Sequence, residues 1–352
     1  MGALSRSDRA AGRDRPPPAV RTPETVSVGG MLAVTATQID ADNPLNGLTV
    51  GERPDPEAPD GWTTVTVKAT ALNHHDLWSL KGVGLPAERL PMILGCDAAG
   101  VDEDGNEVIV HAVIGDPERG GGDETLDPKR SLLSEVHPGT LAEKVAVPRR
   151  NLVPKPAELS FEEAACLPTA WLTAYRMLFD KAGLQPGSSV LVQGAGGGVA
   201  TAAIALASAA GFRVYATSRS EAKRKKAREL GADAVFETGA RLPERVDAVI
   251  ETVGQATWSH SLKSLRPGGR IVVSGATSGQ VPPAELNRVF FLQLSVVGST
   301  MGTRAQLERL ARFLVKTGTR PQIDRTLPLS EARAGFAAMA EGDIFGKIVF
   351  TP

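Results

Sequence analysis

The sequence predicts an α/β fold in two parts, a β-patterned first part followed by a doubly wound parallel sheet. Three observations predict it. Residues 188–210 read as strand, glycine turn and helix, residues 31–154 carry short β-branched runs, and from Ser160 onward helix and strand patterns take turns as a parallel sheet requires.

The glycine turn organises the rest. Val190, Leu191, Val192 and Ala195 read as a buried strand, Gly194, Gly196, Gly197 and Gly198 follow, and the small apolar residues after Val199 keep a helical spacing. Such glycines let the backbone turn sharply and set its N–H groups, with the positive end of the helix, against a pyrophosphate. Ala200 stands where helix packs on strand. A plain helix cap can also be glycine-rich, but the correct flanks on both sides favour a dinucleotide.

Composition bounds the partners. At 352 residues the chain can hold about two domains and a large core. Charge is near balance, 39 basic against 40 acidic residues, and no basic run is interleaved with aromatics, so nucleic acid is not an expected partner. The apolar stretches fall far short of the ~20 residues of a membrane span. Cys96 and Cys166 are the only cysteines, too few for a disulfide framework or a four-cysteine zinc lobe, and a reducing, cytoplasmic setting is the expectation.

Along the chain, residues 1–30 carry Arg6, Arg9, Arg13, Arg15 and Arg21 and the run Pro16, Pro17, Pro18, with almost no large apolar side chains. A disordered extension, or translation starting at Met31, both fit that composition. Strands are expected over 31–37, 63–70, 107–114 and 141–147, with one short helix from near His75 to Gly82. Residues 115–139 form a long polar loop. Ser160 with Glu163 three residues later is a capping box for a helix through Ala165. After the glycine unit come strand 213–217, helix 221–230, strand 247–251, a helix around Ser261, and strands 270–274 and 294–298. Residues 327–350 return to helix and end in a short strand, 347–350, which could pair with the first domain.

The segments GTLAEKVAVP (139–148), AACLPTAWLTAY (164–175), VLVQGAGGGVA (190–200), SLRPGGRIVVSG (264–275) and FGKIVF (345–350) occur in an order that resembles the medium-chain dehydrogenase/reductase superfamily over essentially all of residues 31–352. The resemblance implies a GroES-like catalytic domain over 31–154 and 320–352, and a Rossmann dinucleotide-binding domain over 155–319. It also implies an active site between them, and a homodimer formed by pairing sheet edges near 294–298.

Zinc members of that superfamily hold a catalytic metal on a Cys, a His and a second Cys. Those positions look like Asn73, Cys96 and Thr169 here, and neither Asn nor Thr is a strong zinc ligand. His74, His75, Asp76, Cys96 and Asp97 leave a non-standard metal site as the alternative. Loop 115–139, where zinc members carry a structural four-cysteine lobe, has no cysteine. No metal is therefore expected, and Asn73 with Asp76 falls on the Asn-x-x-Asp pattern of the quinone oxidoreductase branch.

For the cofactor, an NAD-selective site places an acid about 20 residues past the glycines. Here the stretch is Ala216 to Ser220, with no acid before Glu221; Ser218, Arg219 and Lys223 can instead hold a 2′-phosphate, so NADPH (NADP+) is expected. Arg224, Lys225 and Lys226 read as a solvated helix face. Gly275, Ala276 and Thr277, and Ser299, end strands on the ligand side and leave room for the nicotinamide. The resemblance gives Lys347 a cofactor-side position, reaching phosphate or ribose.

Three residues are candidates for the chemistry. Asn73 could donate its amide to a substrate oxygen, or be a turn-forming Asn ahead of a helix. His75 could deliver a proton if it faces the cleft, its ordinary pKa of ~6.5 lying near working pH, or be a surface histidine. Thr173 would lie near the nicotinamide in the family pattern, or pack a helix. Tyr175 and Cys166 read as core, and His111, His137 and His260 have no motif partner. The leading expectation is zinc-free, NADPH-dependent hydride transfer to a small-molecule quinone or α,β-unsaturated carbonyl or enoyl substrate. The alternatives are a zinc alcohol dehydrogenase with a non-standard site, and a catalytically weak NADPH-binding sensor.

Overall fold

The structure, a computed structural model, describes residues 30–352. The extension expected over 1–30 lies outside the described residues apart from Gly30, which opens the first strand.

Six parallel strands form one sheet in the order Ala234–Phe236, Arg213–Thr217, Ser189–Val192, Val246–Glu251, Leu265–Val273, Ser295–Gly298. The glycine-turn strand Ser189–Val192 lies where the chain order reverses, and all four of its residues are buried. Ligands of doubly wound sheets sit beyond the carboxyl ends of the strands at that reversal, so topology alone aims the glycine turn at a crevice.

The second sheet runs Leu152–Pro154, Glu107–Val110, Asp97–Asp102, Trp62–Ala71, Lys347–Thr351, Ile323–Pro328, and Lys144–Pro148 also pairs with Trp62–Ala71. Trp62–Ala71 alternates toward the core, with Val65, Val67 and Ala69 inward, and becomes buried on both faces where the last strand lies antiparallel to it. The last strand does return to the first part of the chain, and it carries Lys347 there. Trp171 and Leu167, fully buried, belong to one apolar cluster with Ala99 and Ile109 of this sheet and Val192 of the parallel one. The two sheets therefore share a continuous core rather than meeting at a wet interface.

Several expected boundaries shift for physical reasons. The strand expected over 107–114 breaks after Val110, because Asn151 Nδ2 donates to the carbonyls of His111 (2.7 Å) and Val113 (2.8 Å) and takes over the ladder there. The strand expected over 141–147 begins at Lys144. Strands Leu48–Pro54 and Asp97–Asp102 and helix Arg304–Thr317 were outside the sequence reading. The helix does carry a signal, a Thr303/Gln306 capping box.

Loop 115–139 is tied down by side chains. Arg119 donates to both oxygens of Asp127 (3.0 and 2.7 Å), and that guanidinium, with the amide N–H groups of Asp116 and Lys129, holds the Asp127 carboxyl far below the usual carboxylate range. Buried Glu124 accepts from the N–H of Arg304 at 2.6 Å, capping the helix on the far side of the cleft.

Candidate active site

A cavity of about 1130 Å³ opens between the two sheets. Of the residues singled out from sequence, Asn73, His75, Thr173, Gly194, Gly196, Gly197, Gly198, Val199, Lys223, Gly275, Ala276, Thr277, Ser299 and Lys347 all line it; Ser218 and Arg219 do not.

The glycine turn forms one wall. Gly194 has φ +71°, and a Cβ there would come within 2.6 Å of Val253 Cγ2, so only glycine fits. Helix Gly198–Ala209 starts with Gly197 as its cap, without a capping side chain and without an acid in its first turn. Its first N–H groups face the cavity unspent, which is an anion site by geometry and dipole together. At the next strand end Ser218 is buried and its hydroxyl accepts from the N–H of Ser220 at 3.3 Å, while Arg219 is exposed. Lys223 reaches across the slot to donate to the Gly342 carbonyl at 2.7 Å. Arg224 is not part of a solvated face: its Nη1 donates to the Ser218 carbonyl at 2.7 Å. Lys226 stands over the Phe345 ring, 5.3 Å from its centroid.

The adjoining wall is built around a buried cation. Lys347 is 2% exposed, and its ammonium donates to Asn73 Oδ1 (2.6 Å), Leu72 O (2.7 Å) and Asp97 Oδ2 (2.9 Å). Those contacts use all three of its protons. The expectation that Lys347 reaches a phosphate or ribose is thereby corrected: only its stem touches the cofactor wall, its Cδ lying 2.9 Å from where a Gly198 Cβ would be. The expectation for Asn73 is corrected with it. Its amide donates to Asp97 Oδ2 (2.8 Å) and Ala71 O (3.3 Å), so the group meant for a substrate oxygen is spent inside the protein. Asp76 locks this corner by accepting from the N–H groups of Asn73 (2.9 Å) and Gly95 (3.0 Å).

Helix His74–Leu80 presents two histidines to the cavity. His75 is not a free surface group: Nε2 lies 2.9 Å from Glu135 Oε1 and Nδ1 lies 3.6 Å from Cys96 Sγ. Burial disfavours its charge, but Cys96, Asp76 and Glu135 outweigh burial and hold its pKa well above 6.5. His74, which sequence reasoning used only as a possible ligand, opens onto the same space. The loss of solvent around it, with Lys347 adding to the effect, keeps its ring below the ordinary value and neutral. Thr173 is buried in the wall on helix Leu172–Arg176, just after a π-helical turn, Leu167–Trp171, that also brings Thr169 to the cavity. Trp78, Val83, Leu126, Leu132 and Met301 add an apolar lining to the cavity. Glu135 escaped the sequence reading because nothing marks a loop glutamate as the partner of a histidine 60 residues away.

With this geometry in place, the chain can be compared with known proteins. A family model described as the alcohol dehydrogenase GroES-like domain matches residues 59–157, and one described as a zinc-binding dehydrogenase matches residues 198–316. An acryloyl-coenzyme A reductase of Sulfurisphaera tokodaii is 30% identical over 329 residues, 88% of this chain and 98% of that protein. The chain belongs to the medium-chain dehydrogenase/reductase superfamily. It is an enzyme of that oxidoreductase type. Within the superfamily, a solved NAD-dependent alcohol dehydrogenase is 36% identical, with a TM-score of 0.85 over 92% of this chain and all of that one. A 2-octenoyl-CoA carboxylase reductase solved with NADP and 2-octenoyl-CoA is 25% identical, with a TM-score of 0.82 over 92% of this chain and 87% of that one.

The zinc in one model's description finds no matching donor set here. Residues 198–316 contain no cysteine and one histidine, His260, which bonds Gln193 and the Ala240 carbonyl. At the catalytic seat the Asn73 amide is fully engaged. The Cys96 thiol is directed at Leu133 O (3.3 Å), and burial raises its pKa against the pull of His75. Thr169 offers one neutral hydroxyl, buried and without a partner among the described residues. Among the described residues no group of three or more His, Cys, Asp or Glu side chains is arranged to hold a metal ion. The residues present do not fit a zinc ion.

Proposed function

We propose that the protein is an NADPH-dependent reductase of activated carbon–carbon double bonds, in enoyl thioesters, enones or quinones, working without a catalytic metal. The observation that carries this reading is the content of the metal seat: an ammonium, an amide and a carboxylate bonded to one another, with a histidine beside them. A metal ion is one way to polarise a carbonyl for hydride; an electron-poor C=C needs less help, and a positioned acid suffices.

The glycine turn, the open start of helix Gly198–Ala209 and the small residues Gly275, Ala276, Thr277 and Ser299 would hold the cofactor. NADPH supplies the hydride when bound there. Thr173 borders the nicotinamide end. The chain's own contribution to the second half of the reaction is His75, which carries a proton at neutral pH beside the substrate space. The similarity to acryloyl-coenzyme A and 2-octenoyl-CoA reductases supports an enoyl thioester. The similarity to an NAD-dependent alcohol dehydrogenase favours a second reading, oxidation of an alcohol with NAD+. Side-by-side rates with NADPH plus crotonyl-CoA, and with NAD+ plus short alcohols, separate the two.

Cofactor choice rests on Lys223, the cationic side chain that lines the cavity beside the glycine turn. Lys223 leaves the Gly342 carbonyl for a 2′-phosphate at little cost, one acceptor replacing another. In Lys223→Ala the KM for NADPH is expected to rise about 10- to 100-fold, the worth of a charge-assisted bond, with the NADH value unmoved. Parallel rises for both cofactors would place the phosphate elsewhere.

For assembly, Phe290 (67% exposed), Phe291 (80%) and Val296 (50%) lie on or beside the open edge strand Ser295–Gly298. An uncovered apolar edge favours a second copy, a homodimer. Light scattering on Phe290→Glu/Phe291→Glu should then give the monomer mass, and an unchanged dimer mass would move the interface off this edge. Among the described residues no helix is long and apolar enough to cross a membrane, and both cysteines are free and buried, which suits a cytoplasmic enzyme.

A further inference from the structure

The turn after strand Ser131–Leu132 is built with strain. Ser134 sits at φ +71°, a left-handed conformation unusual for serine, and its N–H donates to the His137 carbonyl at 2.7 Å. That turn presents two groups to one neighbourhood. The Leu133 carbonyl accepts the Cys96 thiol, and the Glu135 carboxylate meets His75 Nε2 at 2.9 Å. The Glu135 carbonyl is pinned in turn by Arg89 Nη1 at 3.0 Å. Beside it Gly84 has φ +80°, and a Cβ on it would lie 2.6 Å from Glu135 Oε1. A strained turn on one side and an obligatory glycine on the other shape a seat for this one carboxylate.

We infer that Glu135 is a positioning residue for proton delivery: by holding Nε2 of His75, it sets the Nδ1 edge, next to cavity-lining Cys96, as the edge that protonates the substrate. The inference rests on the reaction proposed above. In that reaction hydride adds to the β-carbon, the π pair moves onto the α-carbon and carbonyl oxygen as an enolate, and a proton must reach the α-carbon. His75 loses its Nδ1 proton to that carbon and becomes neutral, and solvent restores the proton after product leaves. The substrate gains one hydride and one proton, so the balance closes.

Asp76 is poorly placed for the same task. Its Oδ1 lies 3.9 Å from His75 Nδ1, and both of its oxygens already accept backbone N–H groups. Glu135, Cys96 and Asp76 are the titratable groups facing the ring. Of the two carboxylates only Glu135 is partly open to solvent, with its side chain 29% exposed against 0% for Asp76.

The test uses Glu135→Gln, which keeps an acceptor of the same length and removes the charge, and Glu135→Ala, which removes both. The first readout needs no cofactor: the His75 ring signal, assigned by its loss in a His75→Gln variant, is titrated by NMR. Its midpoint is expected to fall by roughly one pH unit in Glu135→Gln. The second readout is NADPH oxidation with crotonyl-CoA. In Glu135→Ala kcat is expected to drop about 10- to 100-fold with the KM for NADPH unchanged. In D2O the α-carbon should take up deuterium on one face with the wild type and on both faces with Glu135→Ala. An unmoved His75 midpoint overturns the proposal by itself, as does an unchanged kcat. A midpoint that moves in Glu135→Gln, alongside a wild-type protein that oxidises no NADPH with enones or enoyl thioesters, overturns the reaction instead, and takes the delivery role of Glu135 with it.

Discussion

Replacing Lys347 by methionine is expected to lower the stability of the fold by about 3–5 kcal/mol. Asp97 is fully buried, and its Oδ2 accepts only from Lys347 (2.9 Å) and Asn73 (2.8 Å), while its Oδ1 has no partner among the described residues. Without the ammonium, a buried carboxylate is left without its counter-charge. Leu72 O and Asn73 Oδ1 lose a donor at the same time. The Lys347→Met/Asp97→Leu double variant removes the orphaned charge and is expected to recover much of the loss. Urea unfolding followed by tryptophan fluorescence measures both. A single variant with an unchanged midpoint would mean that the network fills the metal seat without contributing to its integrity.

The second large effect is on rate. His75→Gln is expected to lower kcat for enoyl reduction by about 10²- to 10⁴-fold, the usual worth of a general acid, with little change in the KM for NADPH. The ring lies on helix His74–Leu80, a different element from the glycine turn that would hold the cofactor. The sign of the pH dependence follows from the direction of the shift. Burial opposes the charge, but Cys96, Asp76 and Glu135 raise the pKa, so the protonated, donating form persists above 6.5. The wild-type rate should therefore stay level through neutral pH and fall as pH rises past that raised midpoint. A rate that climbs over the same range would make His75 a base.

Much of the fold was legible because it depends on local patterns. The strand and glycine turn at 189–198, the Ser160/Glu163 capping box and the alternation of helix and strand that follows are written in neighbouring residues. The return of the last strand was legible as an unpaired β segment. What was not legible depends on distant partners. Whether the Asn73 amide is free is decided by Lys347, 274 positions away, and by Asp97. The resemblance put Lys347 on the cofactor side, and its stem does lie against the helix start, but its charge points the other way. Both histidines of the helix line the cavity, because the chamber is broad enough to receive adjacent positions of one helical turn. Loop 115–139, read only as long and polar, supplies both the Arg119–Asp127 clamp and Glu135, and neither pairing has a sequence signature.

The central claim is hydride transfer to an activated double bond by a site whose polar groups take the place of a metal. Protein assayed for bound metals should be given crotonyl-CoA and NADPH deuterated at the transferred position, and the product analysed by mass spectrometry and NMR. The account predicts deuterium on the β-carbon, a solvent proton on the α-carbon, and turnover undiminished when transition metals are far below one per chain. A stoichiometric metal whose removal abolishes turnover, or deuterium delivered only to a carbonyl carbon, would contradict it.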